Sequence, residues 1–170
     1  MFCGMIDQQS AQRIMAGVNS TTQNNQRMHL LFQSTGGIIG DGVCLHNYFK
    51  ACPTDLILYN IGTVSSIGVV AYLGASVRVA SAGATFMIHS TTSPAIAMTA
   101  EHLNTAVKSL RIDDERIKTI LKSQISITNR NWSNLRHKEL WFTATDALKS
   151  GIITAIGNFS PPRGALIYTL

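Results

Sequence analysis

At 170 residues the chain suits a single domain, 1–170, long enough to bury a sizeable core. Its hydrophobic content of 45% and charged content of 14% exclude a disordered chain, and so sparse a charge leaves surface for partner subunits to cover. The net charge of +5 is scattered from Arg13 to Arg163 without a basic block or interleaved aromatics, which excludes a nucleic-acid-binding reading.

Cys3, Cys44 and Cys52 are odd in number and lack metal-ligand spacing, so reduced thiols in a cytoplasmic protein are expected, with no metal and no cofactor. Met1–Asp7 has no positive region and an early Asp, unlike a signal peptide. From the N-terminus, Met1–Ile6 is a possible short strand. Asp7 is a fair cap for a helix whose apolar face is Ala11, Ile14, Met15 and Val18. Residues 21–27 read as polar loop, and Met28–Phe32 as a strand ending in Gln33-Ser34-Thr35-Gly36-Gly37. A second helix follows with Ile38, Gly42, Leu45 and Phe49 on one face, and residues 52–55 break the chain.

Leu56–Tyr59 is wholly apolar, as a buried parallel strand reads. A small-residue elbow, Gly62–Gly68, leads into the apolar helical run of Val69, Val70, Ala71 and Leu73. The uncharged stretch 56–77 is long enough to span a bilayer, but Asn60, Thr63, Ser65, Ser66, Ser76 and three glycines interrupt it. A covered α/β core, with no membrane span, fits better. The alternation of strand and helix with short links predicts a parallel sheet.

Val77–Ala80 and Thr85–Ile88 read as strands, the second ending at His89. After a polar loop from Ser90 to Pro94, the longest helix runs from about Thr99 to Lys122 with Leu103, Val107, Leu110, Ile117 and Leu121 on one stripe. Ser123–Asn134 is polar and ambiguous. Thr143 opens a short helix with Asp146 three residues on, Gly151 closes it, and Ile152-Ile153 suggests a last strand. The Pro-containing tail, 157–170, is expected to be irregular and to run over the surface.

Gly36-Gly37, the elbow serine and His89 all end strands, and strand ends of a parallel sheet share one edge where sites form. A serine at a strand-to-helix bend exposes its oxygen beside unpaired helix-start N–H groups. Ser66 is the candidate nucleophile and Ser65 its competitor. His89 is the candidate base, with His29, His46, His102 and His137 as rivals: His29 lies inside a strand, His46 and His102 read as helix-surface residues, and His137 lies in a charged loop. The glycine pair and Ile67 supply N–H groups for an oxyanion.

In this order the features resemble the ClpP family, the proteolytic subunit of Clp proteases, within the ClpP/crotonase fold. The likeness runs from about Phe2 to Ile156. Ser34-Thr-Gly-Gly37 resembles the family's Ser-Pro-Gly-Gly, and Gly62-Thr-Val-Ser-Ser-Ile-Gly68 its Gly-x-Ala-Ala-Ser-Met-Gly, which favours Ser66 over Ser65. Phe86-Met-Ile-His89 resembles its Met-Ile-His, and Thr143-Ala-Thr-Asp-Ala147 with Gly151-Ile152 its Ser-Ala-x-Glu-Ala…Gly-Leu. The resemblance implies an α/β spiral of ββα units with a long projecting helix, a serine endopeptidase with Ser66 as nucleophile and His89 as base, and oxyanion donors at Gly37 and Ile67. The position of the family's acidic Asp holds Glu139. It further implies a homo-oligomeric ring acting on peptides or unfolded proteins, with a Clp ATPase as a possible partner. The family's glycine-rich substrate segment is replaced by 90–96, with Pro94 removing a donor. Two other readings compete: a non-proteolytic ring or partner-binding protein, and a crotonase-type acyl-CoA enzyme.

Overall fold

The computed structural model describes residues 1–23, 27–53, 55–92, 99–161, 163–165 and 167–170. The first half alternates β1 (Phe2–Cys3), α1 (Gln8–Gln23), β2 (Met28–Gln33), α2 (Ile39–Ala51) and β3 (Leu56–Asn60). Two ββα units are recognisable after it. In the first, β3 turns into β4 (Thr63–Ser65) and then α3 (Ile67–Tyr72). In the second, β5 (Val77–Ala80) turns into β6 (Thr85–Ile88) and then α4 (Ala100–Gln124). The chain closes with α5 (Asn129–Asn134), β7 (Leu140–Thr143), α6 (Ala144–Ser150) and β8 (Ala155–Ile156).

These strands make two sheets rather than the one expected. β1-β2-β3-β5-β8 are all parallel, and β4-β6-β7 form a second sheet in which β7 runs antiparallel. Each ββα unit thus puts its first strand in the large sheet and its second in the small one. The corner between them is tied by Asn60, fully buried, whose side chain donates to the Thr85 carbonyl at 2.9 Å and accepts from the Gly62 N–H at 3.0 Å. A bridge between Ser34 and Val64 stitches the end of β2 to β4.

The helices bury most of the faces their sequences foretell, but Ile38 before α2 and Leu103 and Val107 of α4 are exposed. Ala11, Ile14 and Val18 of α1 are buried, and Asp7 and Ser10 cap its start reciprocally, each accepting the other's backbone N–H at 2.7 and 2.9 Å. On α2, Leu45 and Phe49 are buried as expected, and so is His46, which the pattern places on the surface. Its ring joins the Val70 carbonyl of α3 through Nδ1 at 2.9 Å. Gly42 lets these two helices touch, since a Cβ there would collide with Ile67. α4 is 25 residues long, about 37 Å. Its C-terminal end packs into the core through Leu121, while Leu103 near the other end is 57% exposed, so the helix projects from the body.

Five other elements differ from the sequence reading. α1 extends to Gln23, into the stretch read as loop. The polar stretch after α4 contains α5, whose Thr128 side chain accepts from the Asn131 N–H at 3.2 Å. β4, with Val64 as its one apolar residue, and β7, despite its apolar run Leu140-Trp141-Phe142, are strands the sequence reading does not include. The last strand lies at β8, while Ile152 and Ile153, read as that strand, are buried in the core just before it. At the C-terminal end the Leu170 N–H donates to the Met1 carbonyl at 2.8 Å, and Phe159 meets Tyr59 edge-on at 5.1 Å. Among the described residues no helix is long and apolar enough to cross a membrane.

Candidate active site

The elbow begins with a backbone conformation that only one non-glycine residue adopts among those described: Ser66 has φ 57° and ψ −132°. Such strain persists only where the surroundings over-determine it. Here the Ser66 N–H donates to the Met87 carbonyl of β6 at 2.7 Å, and its carbonyl accepts from the Val69 N–H at 3.0 Å. The residue is thereby fixed between the end of β4 and the first turn of α3. Ser65, its competitor in sequence, is buried within β4. Ser66 instead lines a narrow cleft of about 60 Å³.

His89 lines the same cleft. The parallel register explains why. Ser65 pairs with Met87, so Ser66 and His89 leave adjacent strands at the same end. The glycine pair arrives from the large sheet. Ile6 donates to the Gly36 carbonyl and accepts from the Ile38 N–H, both at 2.8 Å. That pairing leaves the N–H and C=O of Gly37 itself directed away from Ile6. Gly37 also lines the cleft. Glycine is required twice here: a Cβ on Gly37 would strike the Ile6 backbone, and one on Gly36 (φ 102°) would crowd the Cβ of Ser66 to 2.6 Å. Among the described residues, neither the Gly37 nor the Ile67 N–H has a hydrogen-bond partner. Ile67 opens α3, so its N–H is one of the donors a helix start leaves free.

Glu139 is not brought into this group. It is exposed, and its carboxylate accepts from the Trp141 indole N–H at 3.1 Å. Its position is nonetheless close in register. β6 and β7 pair Ile88 with Leu140, and the next step of that antiparallel ladder would set His89 opposite Glu139. Among the described residues no hydrogen bond joins the two. The rival histidines lie elsewhere: His29 bonds the Tyr59 hydroxyl at 3.0 Å, His46 is buried between helices, and His102 and His137 are exposed.

The remaining walls are apolar: Ile39, Val70, Ile88, Ile117 and Leu121. The last two come from α4, four residues apart on the stripe legible in the sequence. Ser90, Thr91 and Thr92 close one side. Asp114 of α4 holds Thr91, accepting from its N–H at 2.8 Å and its hydroxyl at 2.9 Å. Nothing in the sequence marks Asp114, since an acid on a charge-dense helix face reads as solvated. The Pro94 substitution in the segment after His89 lies outside the described residues.

The sequence matches the family model for Clp protease over residues 1–159. No curated protein matches it significantly. Among solved structures it is similar to an Asn-to-Asp mutant of ClpP1 from Listeria monocytogenes, with a TM-score of 0.78 at 20% identity, covering 91% of this chain and 88% of that one. At that identity the likeness speaks for the fold, which is that of ClpP and crotonase.

Proposed function

Since the chain belongs to the Clp protease family, we propose that it is a serine peptidase that cleaves peptide bonds with Ser66 as nucleophile and His89 as general base. The observation that carries this reading is Ser66 in a strained elbow at a helix start, sharing a cleft with His89 and with the unpartnered N–H groups of Gly37 and Ile67. His89 takes the Ser66 proton as the oxygen attacks the scissile carbonyl and passes it to the leaving amine; water, deprotonated by His89, then hydrolyses the acyl ester on Ser66, and the proton goes back to the Ser66 oxygen. Gly37 and Ile67 donate to the oxyanion of the tetrahedral intermediate, each such donor being worth about 3 to 4 kcal/mol. The apolar walls favour a substrate with an apolar side chain beside the scissile bond.

Family members form rings and pair with Clp ATPases. We extend the ring to this chain, with the exposed stripe of α4 as a contact surface, and take an ATPase as its possible partner and the cytoplasm as its location. Glu139 completes the triad if its carboxylate leaves Trp141 and turns to the His89 ring, orienting it and stabilising the imidazolium. The same contact favours a second reading, a non-proteolytic ring protein in which Glu139 stays on Trp141.

A fluorophosphonate probe followed by peptide mapping tests the proposal. The expected result is one modified residue, Ser66, and no labelling of Ser66→Ala. A wild-type protein of normal fold and assembly that takes no label supports the non-proteolytic reading.

A further inference from the structure

We propose that Asp114 is a positioning residue that sets the width, and so the side-chain selectivity, of the cleft. The proposal rests on the peptidase reading for its substrate, but its structural part stands alone. The segment after His89 is held from two directions. Asp114 Oδ1 accepts both the N–H and the hydroxyl of Thr91, at 2.8 and 2.9 Å, and that hydroxyl also reaches the Leu110 carbonyl at 3.2 Å. On the other side the Ser90 hydroxyl donates to the Leu135 carbonyl at 2.8 Å.

Two consequences follow from this arrangement. First, Asp114, Ile117 and Leu121 recur at helical spacing, so one face of α4 carries both the clamp and two apolar wall residues. The gap between that face and Ser90–Thr92 is held chiefly by the two hydrogen bonds on one carboxylate oxygen, with the longer contact of the Thr91 hydroxyl to the Leu110 carbonyl beside them. Second, the Thr91 N–H is spent on Asp114. An extended peptide that adds itself as a strand needs free main-chain donors, and this one is withheld. Recognition at Thr91 therefore depends on side-chain fit rather than on backbone pairing, and fit depends on how firmly this wall is held.

Both bonds need an acceptor at this position, and an amide oxygen supplies one, although a weaker one than a carboxylate. Asp114→Asn therefore keeps the clamp and Asp114→Ala loses it. Two readouts test this on the 170-residue chain. Hydrogen exchange, followed by mass spectrometry on peptides covering Ile88–Thr92, is expected to be slow in wild type and Asp114→Asn and at least about tenfold faster in Asp114→Ala. For hydrolysis, fluorogenic peptides differing by one methylene in their apolar side chain are compared. A snug pocket separates such pairs by roughly tenfold or more, and Asp114→Ala is expected to lose about fivefold of that preference through KM, with kcat little changed and Asp114→Asn normal. Unchanged exchange in Asp114→Ala overturns the clamp, as does an Asp114→Asn variant that behaves like Ala. Faster exchange with unchanged selectivity overturns the proposed role in selectivity. If the wild-type chain hydrolyses nothing, the peptidase reading and the selectivity role fall together, and the exchange result alone decides whether Asp114 holds the segment.

Discussion

Ser66 holds a conformation that costs an L-residue about 1–3 kcal/mol. The cost comes from its Cβ, so glycine escapes it and alanine does not. We expect Ser66→Gly to melt above Ser66→Ala despite the greater freedom of glycine in the unfolded chain. A difference of about 1 kcal/mol would appear as roughly 2–4 °C for a chain of this size. Equal melting points would show that the elbow is relaxed and weaken the case for a nucleophile stored there. The rest of the site differs in how plainly its residues could be read. The glycine pair, Ser66 and His89 were legible because each ends a strand, and because their order matches a known pattern. The choice of Ser66 over Ser65 became geometric only with the register of β4 against β6. Glu139 was legible as a position but not as a contact, because sequence spacing says nothing about where a flexible exposed carboxylate rests.

Between elements, the seam of α2 and α3 decides where the elbow sits. Gly42 allows close approach, and buried His46 links the helices through the Val70 carbonyl. Burial pushes the His46 pKa below its ordinary value of 6.5, against an opposing pull from the Val70 carbonyl. The sign of the linkage follows. As pH falls below 6.5 the unfolded chain takes up a proton first, so the folded state loses stability, and the loss levels off once the folded imidazole also charges. Melting temperatures at pH 7.5 and 5.5 should therefore drop more for wild type than for His46→Gln; equal drops would contradict a neutral buried ring. The alternation that predicts a parallel sheet was visible in long apolar strands such as β3. The division into two sheets was not, because β4 is three residues long, its partner β6 follows β5 of the other sheet, and β7 joins β6 from far along the chain. His46 was misread for a related reason: α2 is apolar on more than one side, and its tertiary neighbour α3 buries what the helix pattern leaves outside.

Over the whole molecule, α4 is the part least explained by the chain alone. Its C-terminal half closes the cleft, whereas its N-terminal half leaves Leu103 and Val107 exposed one turn apart, with Ile112 59% exposed farther along. Scattered apolar residues are ordinary on a surface, but a projecting helix bearing several is suited to bury them against another copy. If the chain assembles as proposed, Leu103→Glu should lower the mass of the native oligomer in light scattering without altering the circular dichroism of the subunit. A wild-type chain that is monomeric throughout would remove the ring from the account. A long helix able to project was expected from the sequence; where it leaves the body was not, since a continuous apolar stripe does not show that it is divided between the core and the surface.

The central claim is that Ser66 is activated by His89 within one cleft. The rate at which a fluorophosphonate acylates Ser66, compared between wild type and His89→Ala, tests it most directly. Loss of the base should slow the reaction by at least about a thousandfold while the protein stays folded. Equal rates in the two proteins would contradict the claim.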